Sequence, residues 1–366
     1  MFTMHPTLLV GPADWDAAAM PKAEFADRIV TLWRPCDPGV AGAVVYGSPR
    51  HHAELAYFTH FTPKLEPAIA LIPRAGEPRL LVGGGVNMLG AAKPLTWVDQ
   101  LLPLRDAATS ITQWAAETGA LALINGDAMP LRLREAVGKT LGATPLDVTG
   151  AVAATMHRKS MREMAMVRAG CATLEVTVAA MRQAHDAGQG ATDIVLAGEQ
   201  TAYRRGAQDV RTLFGRDGRL MPFIAPVAEP VDPLQVYVAV RHGGYWAEGF
   251  AALSRSASSV RRRASAILAE AIAAARPGMP HRELAGLIAQ EIAPSARHFV
   301  TVRDFGHSIG LALEEPYRLN ETSDGVLEPG EVYTMRVGLA DNGAPAVVSA
   351  MVAIGDGDQD VLWKEP

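Results

Sequence analysis

The sequence predicts two mixed units: an N-terminal α/β domain over residues 1–154 and a C-terminal α+β domain over residues 155–366. Three observations predict them. A chain of 366 residues exceeds one comfortable hydrophobic core, so two domains are the default. Up to about residue 150, short apolar runs bounded by Gly, Pro or Asn alternate with helical patterns. Beyond Thr155, a long amphipathic pattern gives way to extended segments, two further helices and a strand-rich end.

In chain order, Pro21 suits the first turn of a helix running to about Trp33. Apolar runs at Gly42–Tyr46, Ala68–Pro73, Arg79–Val82 and Leu121–Asn125 read as strands of a modest sheet, with helical patterns near Glu54, Asn87, Ile111 and Leu131. Gly83-Gly84-Gly85 reads as a tight turn, because it lacks the glycine-and-acid spacing of a nucleotide fold. Ser160 with Glu163 is a capping box, in which each side chain takes an orphan backbone N–H of the other's residue. From there Met164, Val167, Cys171, Leu174, Val178 and Met181 recur at three-and-four spacing, which gives a helix one buried face until Gly188 ends it. A helix over Thr192–Gly206 follows, then strands at Gln235–Val240 and Tyr245–Leu253. Two helices, Arg263–Arg276 and His281–Ala293, each stop at a proline, and Val332–Val337 and Ala346–Ile354 close the domain as strands.

Composition narrows the function classes. At 49% hydrophobic and 20% charged the chain is globular, and a net charge of −5 disfavours nucleic-acid or anionic-membrane partners. Arg261-Arg262-Arg263 reads as a solvated helix face. Cys36 and Cys171 lack a metal-type spacing, and Cys171 falls on an apolar stripe as a reduced buried thiol. With Asp14 and Asp16 near its start and no long apolar run, the chain reads as cytoplasmic, without a secretory signal or membrane span.

Several blocks carry a resemblance. They are Met156-His157-Arg158-Lys159-Ser160 with Glu163, Gly243-Gly244-Tyr245-Trp246-Ala247-Glu248 with Ser254-Arg255, and Arg276-Pro277-Gly278. Phe305-Gly306-His307-Ser308-Ile309-Gly310-Leu311 with Glu314-Glu315-Pro316, Leu327-Glu328-Pro329-Gly330, and Ala56-Tyr57-Phe58-Thr59-His60-Phe61 complete the set. In this order and spacing they resemble the creatinase/aminopeptidase P/prolidase superfamily over almost the whole chain. The resemblance implies a pita-bread α+β C-terminal domain, a smaller creatinase-like N-terminal α/β domain and a homodimer.

In metal-dependent members of that superfamily, two Asp, one His and two Glu hold two divalent cations. Carried over slot by slot, the first Asp falls on Tyr237, the second on Glu248, the His on His307, the first Glu on Arg336 and the last Glu on Val348 or Ser349. A histidine that peptidases use to hold substrate falls on Phe223. Hard or borderline cations need several anionic oxygens, and a guanidinium about 4 Å from even a unit positive charge is repelled by roughly 4 kcal/mol at an effective dielectric of 20. The expectation is therefore no metal and no other cofactor.

His307 and Glu248 are then the catalytic candidates, the imidazole as proton shuttle and the carboxylate as its orienter or as holder of a cationic nitrogen. Arg336 offers a planar fork to a substrate carboxylate, with Tyr245, Phe223, Tyr237 and Glu315 as further substrate-binding candidates. The resemblance, through the serine of Gly306-His307-Ser308, points towards creatinase. It implies a metal-independent hydrolase cleaving a C–N bond in a small nitrogenous or amino-acid-derived molecule. In creatinase-like dimers a loop after the Tyr57–Phe61 segment closes the partner's site, which makes Lys64 a substrate contact in trans. Two alternatives stand: a pseudo-peptidase whose Arg336 and Glu248 simply pair, and an Xaa-Pro-type metallopeptidase with relocated ligands.

Overall fold

The computed structural model describes residues 14–84, 86–141, 146–215, 220–222, 225–256, 258–292, 304–341 and 344–365. The chain divides into two compact units, Met1–Met156 and His157–Pro366.

In the first unit, α1 (Lys22–Leu32), β1 (Val40–Gly47), α2 (Ala53–Thr59), β2 (Ala68–Pro73) and β3 (Arg79–Val82) precede α3 (Leu89–Ala92) and β4 (Gln100–Pro103). They are followed by α4 (Ala107–Thr118), β5 (Ala120–Ile124), α5 (Leu131–Leu141), β6 (Leu146–Asp147) and α6 (Thr149–His157). Six strands form one mixed sheet in the order β4-β3-β2-β1-β5-β6 among the described residues. Its centre is β1, buried along nearly its whole length, and Val44, Ile69, Leu71 and Leu123 pack there with Ile111 and Trp114 of α4. The edge strands β4 and β6 are absent from the sequence reading. Exposed Gln100 and the two-residue length of β6 leave them no apolar run to read.

The second unit opens with α7 (Met161–Asp186), whose Ser160–Glu163 capping box forms as expected. By length and composition α7 could cross a membrane, contrary to the sequence reading. Its Val167, Cys171, Leu174, Val178 and Met181 face is nevertheless buried, and α7 packs on β8 and β9, the role of a core helix. Gly188 takes the left-handed conformation (φ 77°). Then come α8 (Ala191–Arg204), β7 (Asp209–Gly215), β8 (Leu234–His242), β9 (Tyr245–Leu253), α9 (Ser259–Ala274) and α10 (His281–Gln290). The end is β10 (Gly306–Ser308), β11 (Val332–Asp341), β12 (Ala344–Ile354) and β13 (Gln359–Lys364).

Among the described residues the strands of this unit form two antiparallel sheets, β7-β8-β9 and β10-β11-β12-β13, and α9 packs on β11 and β12. β9 is an edge strand, and an edge leaves every second N–H without a ladder partner. Here the second sheet and the segment beyond β10 supply four acceptors in succession. Trp246 N–H donates to Gly310 O (2.8 Å), Glu248 N–H to Met351 Sδ (3.2 Å), Phe250 N–H to Ser349 Oγ (2.7 Å) and Ala252 N–H to Glu365 Oε1 (2.8 Å). The Gln235 amide joins the same seam, donating to Ala251 O and Val347 O while accepting from Val347 N. This seam holds Glu248 of one sheet against the face of the other.

Candidate functional site

The local sequence puts His307 where it can meet Glu248. β10 is three residues long, and its Gly306 lies so close to Thr334 O that no Cβ would fit (φ 153°). That close approach pairs β10 with β11 in the register His307↔Thr334, while β11 pairs with β12 in the register Arg336↔Ser349. Alternation along β11 then places Thr334 and Arg336 on one face, the face on which Ser349 and Met351 meet β9. The pleat also chooses between the two candidate positions for the last slot. Val348 points into the hydrophobic core with Met335 and Val337, so Ser349 is the residue beside Arg336. Its hydroxyl is spent on the β9 seam.

On this face His307 Nε2 lies 3.3 Å from Glu248 Oε1, with side chains 1% and 2% exposed. Tyr237, across on β8, donates its hydroxyl to Glu248 Oε2 (2.5 Å). Burial first, and then the Glu248 carboxylate, push the Tyr237 phenol well above its ordinary range, so it stays a donor. Arg336 Nη1 stands 3.9 Å from Glu248 Oε1, and its Nη2 pairs with Asp304. Asp304 in turn accepts from Arg318 Nη1 (2.8 Å), and Arg318 Nη2 reaches Glu314 (2.6 Å). Charges alternate along Glu314, Arg318, Asp304, Arg336 and Glu248, so the guanidinium of Arg336 is fixed from both sides. The Phe250 ring lies 6.0 Å from its Cζ and packs against Tyr237 and Val347.

The tautomer of His307 follows from its neighbours. Nε2 also lies 3.2 Å from Leu313 O. A carbonyl and a carboxylate only accept, so Nε2 carries the proton. Nδ1 is buried with no hydrogen-bond partner among the described residues, as are Arg336 Nε, Thr334 Oγ1 and, its ion pairs aside, Glu248 Oε1.

The sequence-derived candidates thus divide. His307, Glu248, Arg336 and Tyr237 converge. Tyr245 and Glu315 do not join them. The Tyr245 hydroxyl donates to Glu163 Oε1 (2.9 Å), which holds the capping-box residue of α7. Glu315 is gripped by Lys159 Nζ (3.0 and 2.9 Å) and accepts from His157 Nδ1 (3.0 Å). Its burial opposes ionisation, yet Lys159 and His157 hold its carboxyl below the ordinary value. Lys64 is exposed in the first unit. Phe223 lies outside the described residues. Asp304 was missed because no motif slot falls on it; its only signal in the sequence is its place three residues before His307.

The groups gathered here are the Glu248 carboxylate, a second carboxylate (Asp304) committed to Arg336 and Arg318, one imidazole protonated at Nε2 and a phenol, beside a guanidinium. No group of three or more His, Cys, Asp or Glu side chains able to hold a metal occurs among the described residues. A pair of divalent cations needs more uncommitted anionic oxygens than these, and the Arg336 guanidinium stands among them, so this donor set does not fit one.

Comparisons with known proteins agree with this fold. The profile of metallopeptidase family M24 matches residues 148–356. The prolidase from Pyrococcus horikoshii OT3 superposes with a TM-score of 0.77 at 15% identity, covering 93% of this chain and 99% of that one. The X-Pro aminopeptidase from Thermotoga maritima MSB8 gives 0.78 at 17%, covering 93% and 98%. Aminopeptidase P from E. coli gives 0.73 at 16%, covering 93% and 94%. No curated protein matches the sequence.

Proposed function

This chain belongs to metallopeptidase family M24 and has its pita-bread fold, and we propose that it hydrolyses a C–N bond in a small nitrogenous, amino-acid-derived molecule without a metal pair. The observation that carries the reading is the Glu248–His307 pair, with Arg336 in place of an anionic ligand in the same cage.

With Nε2–H donated to Leu313 O and the Glu248 carboxylate 3.3 Å from the same nitrogen, the lone pair of the neutral ring is on Nδ1, the nitrogen able to take a proton. Nδ1 accepts a proton from water as the water oxygen bonds to the substrate carbon. Glu248 balances the imidazolium so formed, and the Tyr237 hydroxyl keeps that carboxylate oriented. Arg336, anchored by Asp304, neutralises the developing oxyanion. The proton on Nδ1 then passes to the leaving nitrogen as the C–N bond breaks. One water is consumed, and an acid and an amine are released.

A second reading has its own support. His307 and Glu248 are 1% and 2% exposed and Arg336 11%, so the cage is filled by its own ion pair, as in a pseudo-peptidase that binds without turnover. One assay separates them. Chelator-treated protein is offered N-acyl amino acids, guanidino acids and Xaa-Pro dipeptides. We expect turnover that survives the chelator and drops about 100-fold or more in H307A. Turnover that appears only with added Mn²⁺ or Zn²⁺ sinks the metal-free mechanism, and inertness toward every class favours the binding protein. Homodimerisation with Lys64 in trans belongs to the same proposal. Light scattering at twice the chain mass, and activity restored by mixing K64A with H307A, are its expected outcomes.

A further inference from the structure

We infer that Thr334 and His307 share a bound water, the seat of the co-substrate of hydrolysis. The role of this water rests on the hydrolase reading, but its existence does not. Thr334 is wholly buried, is the cross-strand partner of His307 and lies two residues before Arg336 on the same face of β11. Glu248 closes the group from β9, 3.3 Å from His307 and 3.9 Å from Arg336.

Four buried atoms there make no protein hydrogen bond among the described residues: Thr334 Oγ1, His307 Nδ1, Arg336 Nε and Glu248 Oε1, the last held only by its ion pairs. Buried polar groups left in that condition are destabilising, and one such atom is tolerable where four together invite an occupant. The four comprise two acceptors, Nδ1 and Oε1, and two donors, Oγ1–H and Nε–H. A water molecule donates twice and accepts twice, and buried waters bond about three otherwise unsatisfied groups. A cation would satisfy the acceptors only and would face Arg336. A wholly apolar occupant would satisfy nothing.

Thr334 is then a positioning residue. It holds the water against Nδ1, takes no proton itself, and its β-branched side chain is stiff about χ1. The pleat of β11 fixes it beside the base by the same register that sets Arg336.

The test is a high-resolution crystal structure of the full chain as wild type, T334V and T334S, with a thermal melt of each. Wild type and T334S should show one water within about 3.2 Å of both residue 334 Oγ and His307 Nδ1. T334V, equal in shape, should lose that water and melt several degrees lower, because Nδ1 is left bare. Where a substrate is turned over, T334V should lower kcat about 100-fold with KM unchanged, as expected when a reactant is misplaced rather than unbound. A wild-type map without that water, or a T334V protein as stable as wild type, overturns the seat. The two readings fail separately: an active enzyme with a dry Thr334 keeps the hydrolase and loses the seat, whereas a wet seat in an inert chain does the reverse.

Discussion

Two buried polar clusters stand on either side of β10, and they differ in one respect. On the face of Ser308, Lys159, Glu315 and His157 satisfy one another, and Tyr333 donates to Glu331 (2.9 Å) and meets His281 Nε2 (2.9 Å). The Tyr317 ring packs between His157 and His281, and Tyr317 N–H donates to Ser308 Oγ. No side-chain nitrogen or oxygen of those ionisable residues is a buried orphan. On the face of His307, four atoms are. A polar cluster whose hydrogen bonds close on themselves fixes one conformation and leaves nothing for a ligand. One that leaves donors and acceptors open has kept binding capacity at a cost in stability. That contrast, rather than the mere presence of ionisable residues, is why Glu315 is structural and Glu248 is a candidate catalytic group.

The closed cluster should be the costlier to break. Lys159→Met leaves the Glu315 carboxylate, 4% exposed, facing one histidine, and should destabilise the second unit by about 3–5 kcal/mol in urea titration. Replacing both partners by apolar residues should recover much of this. A K159M protein as stable as wild type would erase the distinction between the clusters.

The seam offers an effect with the opposite pH sign. Burial first pushes the Glu365 carboxyl up to about 7, against the pull of Arg261 and Arg182. A folded value above the unfolded one means that its stabilisation is full below the unfolded value and is lost as pH rises towards about 7. The loss should be at most about 3 kcal/mol, and Glu365→Gln should flatten that slope. Glu315, held low, has the reverse sign and gives up its contribution only as the medium is acidified.

Within the seam, Ser349→Ala strands the Phe250 N–H and should cost about 1–3 kcal/mol. Smaller still is Tyr237→Phe. It takes from an already under-satisfied Glu248 the hydrogen-bond donor it has among the described residues and should cost about 1–2 kcal/mol in urea titration. An unchanged midpoint would show that the Tyr237 hydroxyl contributes nothing to holding Glu248.

Local patterns were legible where a single element suffices. The capping box at Ser160 and Glu163, the stripe from Val167 to Met181, and the strands at β1, β2, β8 and β9 all follow from short-range spacing. β7 and β13 were not legible. Their residues are half-exposed with no clean alternation, and only pairing with β8 and β12 makes them strands. In the site, the resemblance reached His307, Glu248, Arg336 and Tyr237. It also drew in Tyr245 and Glu315, which neighbour those residues in sequence but point to other partners.

What the sequence by itself determined is the family, the order of elements and the replacement of anionic slots by Tyr237 and Arg336, because these are properties of residue type and spacing. Only the tertiary structure decided that Asp304 anchors Arg336, that Ser349 closes a strand edge and that the Thr334 hydroxyl, across from His307, makes no protein hydrogen bond among the described residues. The physical reason is that a side chain's role depends on which hydrogen bonds its surroundings leave unmade. That count exists only once distant strands have come into register.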